Sequence, residues 1–328
     1  FMFAAAHLAA PLMAGNAVVV KTPETSPLSG SVLGELVRDT LPRGLVNIVH
    51  GYGAPAGDAL VRHPLVRRIG FTGSVATGLA IQRTAAESAV KHVSLELGGK
   101  NPFIVFPDAD LDRVVEMAVA GMNFSWAGQS CGSTSRLLLH ADIHDEIVER
   151  VAERMRALRV GDPLDPASEM GPVNSSKQFE RMQGFIAEAA AQGARLVTGG
   201  TRPSGTMFAQ GYWLEPTLYA DVTQEMRVVR EEIFGPIVCA QRWHRESEVI
   251  ELANDSPYGL TAAVWTRDLA TGLRMTRAIE AGTVWLNTAG QHFVGAPFGG
   301  WKDSGLGGEE CLEELYSYSR LKAVHVPA

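Results

Sequence analysis

A cysteine surrounded by small residues is the first candidate for chemistry. Cys131 lies in the segment SWAGQSCGSTSR, where Gly128 and Gly132 flank it and hydroxyl side chains stand where a core cysteine would have bulky apolar neighbours. An isolated cysteine is usually a small packing residue. The glycines here favour a loop or a helix start instead, where backbone N–H groups would stabilise a thiolate and hold a developing oxyanion. The segment therefore predicts a nucleophilic thiol at Cys131.

A carboxylate at the end of a predicted strand is the second candidate. Glu96 alternates with Val93, Leu95 and Leu97 in VSLELGGKNP, directly before a double glycine. Alternation alone favours a solvated residue on the polar face of the strand. The position of Glu96 favours a base that acts on water, because parallel sheets bind ligands at the carboxyl ends of their strands. These residues by themselves leave both interpretations open.

Two further turns have the character of nucleotide contacts. Lys21 and Glu24 follow the apolar strand AVVV in KTPETSP, so they would either bind a ribose diol between them or form an exposed turn at a helix start. GFTGSVATG, residues 70–78, follows a strand and opens a helix, whose N–H donors suit a pyrophosphate. This turn is not the GxGxxG pattern, and alone it is weak evidence for a dinucleotide.

These candidates fall within an alternating α/β pattern. Apolar runs alternate with helix-like stretches in the first hundred residues, the runs at 17–21, 45–49, 66–71 and 93–97 and the helices after Pro27, over 56–62 and over 75–87. After Gly98 and Gly99 the pattern restarts with PFIVF, an Asp-capped helix, RLLLH and a charged helix that stops before Gly161. The order predicts two α/β domains, the first built on a parallel sheet covered on both faces.

Composition excludes several classes of function. The chain has 328 residues, 46% hydrophobic and 20% charged, with a formal net charge of -7, so we expect two globular domains and no nucleic-acid partner. No apolar run is long enough for a membrane span. The three cysteines lie far apart without ligand spacing, which argues against a disulfide framework or a metal site and favours the cytoplasm. The first residues lack the pattern of a secretory signal, and the chain is expected to begin within a domain.

Seven motifs in order give a more specific indication. K-x-x-E-x-S-P, GFTGS, LELGGKNP, GQSC, EEIFGP, NDSPYGL and PFGGWKDSG follow one another as in the aldehyde dehydrogenase superfamily, which the whole chain resembles. The resemblance implies that Cys131 is the catalytic thiol and Glu96 the general base. It also implies a set of cofactor contacts: Lys21 and Glu24 at the adenine ribose, Gly73 and Ser74 at the pyrophosphate, Glu232 and Phe234 at the nicotinamide, and further contacts at Gly53 and Leu97.

The resemblance extends to domains, substrate pocket and assembly. It implies a Rossmann-type cofactor domain over 1–98, a second α/β catalytic domain over 99–298, and a C-terminal return segment with an oligomerisation strand over 299–328 of a homodimer or homotetramer. The N-terminal segment of that family, with the asparagine that completes its oxyanion hole, is expected to be absent. The remaining implied positions are a proton relay at His7 and Glu309 and a pocket at Phe124, Trp126, Ser130, Gly132 and the loop 289–294, including Phe293.

The resulting prediction is an NAD-dependent aldehyde dehydrogenase of the hydrolytic kind. Glu24 at the ribose position would repel the 2′-phosphate of NADP, so NAD is expected to be preferred while NADP is possible. Phe124, Trp126 and Phe293 favour an apolar or aromatic aldehyde. One alternative is a semialdehyde dehydrogenase that passes the acyl group to coenzyme A, against which Glu96 argues because a thiol acceptor needs no activated water. The other alternative is a binding protein that retains the fold without catalysis.

Overall fold

A computed structural model describes residues 2–327, which form two compact units. Unit 1 contains the described residues up to Glu96, the segment His292–Gly299 and the described residues from Leu306 onward. Unit 2 contains Leu97–Gln291 and Gly300–Gly305. The predicted first boundary lay at residue 98, and the predicted third segment, 299–328, divides between the two units. Phe1 and Ala328, at the outer ends of the predicted segments, lie outside the described residues.

Unit 1 begins with a regular alternation of helices and strands. In chain order these are α1 (Met2–Met13), β1 (Val18–Lys21), α2 (Pro27–Thr40), β2 (Val46–Val49), a helical turn (Gly53–Gly57), α3 (Asp58–Arg62), β3 (Arg68–Thr72), α4 (Val75–Ser88) and β4 (His92–Glu96). Every strand and helix predicted for residues 17–97 is present. Helix α1 was not predicted, because Pro11 within it reads as a break in the apolar stretch.

The strands of unit 1 form two parallel pairs, β1 with β2 and β3 with β4. The prediction of parallel strands is confirmed. The expectation of a sheet covered on both faces is wrong for the described residues, since Leu95 and Glu96 are the only buried residues of these four strands. The four strands lie in two separate small sheets and not in one, and a sheet of two or three strands offers helices little area to cover on both faces.

Unit 2 is a larger α/β unit. Its elements are β5 (Pro102–Val105), α5 (Leu111–Ala120), a 3-10 turn (Phe124–Trp126), β6 (Arg136–His140), α6 (His144–Arg156), α7 (Ser176–Ala191), β7 (Arg195–Thr198), a second 3-10 turn (Thr206–Ala209), β8 (Thr217–Ala220), α8 (Arg227–Arg230), β9 (Ile237–Trp243), α9 (Glu246–Asn254), β10 (Tyr258–Gly259), β11 (Thr261–Trp265), α10 (Leu269–Ala278), β12 (Thr283–Leu286) and β13 (Trp301–Lys302). Two more elements follow in the chain, β14 (Gly305–Leu306) and α11 (Leu312–Ser317).

A seven-stranded sheet forms the centre of unit 2, in the order β12-β11-β5-β6-β9-β8-β7. All its strands pair in parallel except β7, which is antiparallel to β8. Strand β5 is buried along its whole length, as a parallel strand covered by helices should be. The central strands β5, β6 and β9 are buried along nearly their whole length, so both faces of the sheet carry core.

Within residues 2–327, no helix has both the length and the apolarity that crossing a bilayer requires.

Candidate active site

Cys131 lies in a tight turn between the 3-10 turn and strand β6. Ser133 N–H donates to Ser130 O at 3.2 Å, so Cys131 and Gly132 are the two central residues of a β-turn. Cys131 is partly exposed. No helix begins at this turn, and the next element along the chain is β6. The predicted loop is therefore present, whereas the alternative of a helix start is wrong, because the segment turns directly into an extended strand.

The side chain of a buried asparagine holds this turn through hydrogen bonds. The side-chain amide of Asn101, which is 1% exposed, donates to Cys131 O at 2.7 Å and to Ser133 O at 2.9 Å. Its carbonyl oxygen accepts the N–H of Thr261, the first residue of β11, at 3.1 Å. Three of the hydrogen bonds available to an asparagine side chain are thus used. They fix the carbonyl of the candidate nucleophile relative to the central sheet.

The EEIFGP motif forms the second part of the site in unit 2. Gly99 N–H donates to Glu232 Oε1 at 3.0 Å. Helix α7 holds the backbone that follows, because Gln178 Nε2 donates to the carbonyls of Ile233 and Phe234 at 2.7 and 2.9 Å. Phe234 has a left-handed φ of 57°, which such bonds help to maintain. The two predicted nicotinamide contacts therefore lie on a segment whose backbone is fixed on one side by α7.

The cysteine segment and the EEIFGP segment are in direct contact. Gly128 has φ +66°, and a Cβ added there would lie 2.3 Å from the carbonyl oxygen of Gly235. Only glycine combines this backbone conformation with this approach. Unit 2 thus brings together the predicted nucleophile Cys131 and the predicted cofactor contact Glu232 through their own chain segments.

Burial dominates the electrostatics beside Glu232. Burial raises the pKa of Glu232, an effect that the Gly99 N–H and the charge of Lys100 oppose. Lys100 is buried, and desolvation lowers its pKa to about 8. Its neighbour Arg136 is also buried, and burial lowers its pKa to about 10. In the described part of the chain, no group of three or more His, Cys, Asp or Glu residues is arranged to hold a metal ion.

Glu96 ends strand β4 in unit 1 and is buried, with 4% of its surface exposed. This burial removes the interpretation of Glu96 as a solvated face residue. In the parallel pairing of β3 with β4, Thr72 is its register partner, so the two side chains leave neighbouring strands on the same face. His7 Nε2 lies 3.1 Å from Thr72 Oγ1, and His7 Nδ1 lies 3.8 Å from Glu309 Oε1. The two predicted relay residues are therefore adjacent. Burial raises the pKa of Glu309, and the charge of His7 opposes that effect.

The predicted ribose and pyrophosphate residues also lie in unit 1. Lys21 Nζ donates to Glu24 Oε2 at 3.4 Å, so this ammonium and carboxylate are together at the end of β1. Ser74 is the N-cap of the 14-residue helix α4, its Oγ accepting Thr77 N–H at 3.4 Å. Gly73 N–H donates to Glu96 O at 3.0 Å. The GFTGS motif thus has the predicted strand, turn and helix start, while Gly53 opens the helical turn after β2.

The predicted pocket residues differ widely in exposure. Phe124 is 3% exposed and belongs to the hydrophobic core of unit 2. Trp126 and Phe293 are exposed, at 50% and 62%, and Ser130 is partly exposed. Leu97, one of the predicted cofactor contacts, is buried, and its N–H donates to Ser304 O at 2.8 Å.

Several residues with a place in the site were not predicted. Asn101 stands inside the quoted motif LELGGKNP, and the only signal in the sequence was a polar pair, Lys100 and Asn101, directly before an apolar strand. His50 follows β2, where its two ring nitrogens lie 2.7 Å from Thr22 Oγ1 and 3.0 Å from Ser31 Oγ. Gln178 acts from a helix far along the chain, and no local pattern indicates it.

Comparisons with known proteins give a consistent answer. The model of the aldehyde dehydrogenase family matches residues 1–324. The chain is 50% identical over 330 residues to aldehyde dehydrogenase tropH of Talaromyces stipitatus, covering 99% of this chain and 64% of that protein. It is 44% identical over 324 residues to the betaine aldehyde dehydrogenase of Brucella melitensis, covering 98% of this chain and 66% of that one.

A solved structure agrees with these relatives. The crystal structure of betaine aldehyde dehydrogenase from Staphylococcus aureus in complex with NAD+ superposes with a TM-score of 0.93 at 37% identity, covering 96% of this chain and 62% of that chain. The chain thus spans slightly less than two thirds of the length of each of these three proteins. With a family match over nearly all its residues and the motif turns folded as described, the chain belongs to the aldehyde dehydrogenase family.

Proposed function

We propose that this protein oxidises an aldehyde to a carboxylic acid with NAD, with Cys131 as nucleophile and Glu96 as general base. The observation that carries the proposal is the Cys131 turn, which the Asn101 amide holds at 2.7 Å against the same unit that fixes Glu232. A partly exposed thiol on a fixed turn is suited to attack a carbonyl carbon, because its position does not have to be organised during the reaction.

The residues present fit a dinucleotide. Lys21 and Glu24 offer an ammonium and a carboxylate to a ribose diol, and the start of α4 at Ser74 offers N–H donors to a pyrophosphate. The Glu232 carboxylate, held by Gly99, would accept hydrogen bonds from the second ribose. When bound, NAD accepts the hydride that leaves the substrate carbon. The complex of the Staphylococcus aureus relative with NAD+ supports this choice of cofactor.

The protein's own residues carry the remaining steps. The Cys131 thiolate adds to the aldehyde carbon, and the backbone N–H groups of the turn hold the alkoxide that forms. Loss of hydride leaves a thioester on Sγ. Glu96 takes a proton from water, the hydroxide adds to the thioester, and the C–S bond breaks to release the acid and the thiolate. Thr72, His7 and Glu309 would then carry the proton of Glu96 away along the 3.1 and 3.8 Å contacts.

The test separates the two half-reactions. We expect the Glu96→Gln variant to release about one NADH per active thiol in a burst and then turn over at least tenfold more slowly than the wild type, because only deacylation needs the base. The control is Glu87→Gln on α4, whose side chain is 58% exposed and which should behave as the wild type does. Unchanged steady-state turnover in Glu96→Gln would overturn the assigned role.

The alternatives give different results in the same experiments. A coenzyme A-acylating enzyme would form an acyl-coenzyme A product and lose little rate in Glu96→Gln. A binding protein without catalysis would contain a titratable thiol but produce no NADH.

Because betaine aldehyde dehydrogenases are among the relatives, the substrate panel should contain betaine aldehyde beside aliphatic and aromatic aldehydes. We expect an apolar or aromatic aldehyde to be preferred, on the evidence of the exposed rings of Trp126 and Phe293.

Family membership also supports a cytoplasmic homodimer or homotetramer, which sedimentation and fractionation would test.

A further inference from the structure

The four residues Gly98, Gly99, Lys100 and Asn101 contact both halves of the candidate site in unit 2. We propose that this segment, Gly98–Asn101, is a positioning element that fixes the nucleophile turn and the Glu232 carboxylate relative to each other. The proposal rests on the proposed function, since it assigns these residues to the separation between Cys131 and the carboxylate that would hold the nicotinamide ribose.

The N-terminal end of the segment, Gly98 and Gly99, contacts the Glu232 carboxylate. The Glu232 carboxylate packs directly on Gly98, where an added Cβ would lie 2.2 Å from Oε2 and 2.6 Å from Oε1. The next residue supplies the 3.0 Å hydrogen bond from Gly99 N to Oε1. The buried charge of Lys100 favours the ionised form of Glu232. A side chain at Gly98 would therefore meet the Glu232 carboxylate before any other group.

The other end of the segment holds the nucleophile. Asn101 donates both hydrogens of its amide to the carbonyls of Cys131 and Ser133, at 2.7 and 2.9 Å. Asn101 is the residue directly before β5, and its own carbonyl accepts Arg136 N–H at 3.2 Å, so its backbone is fixed in the sheet. Because the amide is buried, the two carbonyls would lose their donors in any variant that cannot replace them.

The middle of the segment touches both sides. Gly99 donates its N–H to Glu232, and a Cβ added at Gly99 would lie 2.8 Å from the carbonyl oxygen of Cys131. One residue therefore separates the backbone of the nucleophile from the cofactor-side carboxylate. This predicts a specific pattern: substitutions at the two ends act on one function each, and a substitution in the middle acts on both.

The test uses measurements that need no turnover. The rate of Cys131 alkylation by iodoacetamide, followed by peptide mass spectrometry across pH, reports the thiol, and the Kd for NAD reports the carboxylate. We expect Asn101→Asp, which keeps the shape but loses both donors, to slow alkylation about tenfold with the Kd within about twofold of the wild type, since displacements near 1 Å have effects of that order or larger. Gly98→Ala should show the reverse, and Gly99→Ala should change both.

A matched control and a second variant keep the result interpretable. Asn254 also has a side chain that bridges two backbone groups in unit 2, donating to Ala278 O at 2.8 Å and accepting Glu280 N–H at 2.9 Å, without contact to Cys131. Asn254→Asp should leave both measurements unchanged. If Asn101→Asp does not fold, Asn101→Ser keeps one donor and should slow alkylation about threefold.

Two results would overturn the proposal: unchanged alkylation in the folded Asn101 variant, or a Gly99→Ala effect confined to one measurement. These outcomes are distinct from failure of the proposed function. A wild type that binds NAD and has a reactive thiol but oxidises no aldehyde would refute the function, while the pattern of alkylation and binding would still test the segment.

Discussion

Substitution of Arg136 is the most direct test of the contacts that stabilise unit 2. Arg136 is 1% exposed, and its guanidinium donates to the carbonyls of Lys100, Leu252 and Ala253 at 2.8, 2.9 and 2.9 Å. The last two carbonyls belong to the final turn of α9, which has no intrahelical donors for them. A buried cation from the central strand β6 therefore caps this helix and complements the negative end of its dipole.

The expected loss in an Arg136→Met variant follows from two opposed effects. Three hydrogen bonds from a charged donor contribute about 2 kcal/mol each, or about 6 kcal/mol in total. Burial lowers the pKa of Arg136 to about 10. Desolvation of a buried cation costs about 3 kcal/mol, a cost that methionine does not have. We therefore expect Arg136→Met to lower the free energy of unfolding of unit 2 by about 3 kcal/mol.

The assay can be confined to unit 2, because all six tryptophans of the chain lie in it. Urea unfolding followed by tryptophan fluorescence gives the free energy of each variant. The matched control is Arg274→Met, which removes an exposed guanidinium that binds Glu246 at the other end of the same helix at 2.9 Å. An exposed pair of this kind contributes at most about 1 kcal/mol. Equal losses in the two variants would refute the reasoning.

Three further predictions concern single residues. Burial lowers the pKa of Lys100 from 10.5 to about 8 on folding, so between pH 8 and pH 10.5 the unfolded chain binds more protons than the folded chain and stability should rise with pH. Relative to Lys100→Met, the wild type should gain about 2 kcal/mol between pH 7.5 and pH 9.5 in the same urea assay. A decrease in stability over this range would contradict the burial of Lys100. Gly128→Ala should lose several kcal/mol of stability, because its Cβ would meet backbone atoms at 2.3 Å and its φ is +66°. Gly184→Ala, at an exposed position of α7 with open space around it, should gain about 0.5 to 1 kcal/mol. Similar melting temperatures for the two variants would exclude the close approach. Glu24→Ser should raise kcat/KM for NADP relative to NAD about tenfold by removing a carboxylate near the ribose position, and an unchanged ratio would remove Glu24 from cofactor selection.

Local patterns in the sequence were sufficient for most elements. The strands over 17–97 and the helix starts at Asp110 and Ser74 follow from apolar runs and capping residues, and both caps accept a backbone N–H in the structure. The positions of Cys131 and Glu96 at a turn and a strand end were predictable for the same reason. Apolar runs and capping residues involve only a few neighbouring residues, so they can be recognised in the sequence alone.

The parts that were not predicted depend on contacts between distant residues. The Asn101 side chain binds Cys131, 30 residues away, and Thr261, 160 residues away, and neither separation leaves a periodic signal. The resemblance implies Phe124 as a pocket residue, while its burial in the core of unit 2 depends on packing that no local pattern shows. In the sequence, Arg136 is only a polar residue at the start of the strand RLLLH. Its role as a cap depends on the contact between its guanidinium and the C-terminal carbonyls of α9.

The chain order of unit 1 has a consequence during synthesis. Residues 2–96 are made before unit 2, but they are completed by segments that follow residue 291, and Asn16 Nδ2 donates to Tyr318 O across 302 residues. The contact between His7 and Glu309 likewise requires the return of the chain. The ribosome therefore delivers nearly all of unit 2 before it delivers the last parts of unit 1. The part of unit 1 that precedes unit 2, and that contains Glu96, can finish folding only after unit 2 has been synthesised.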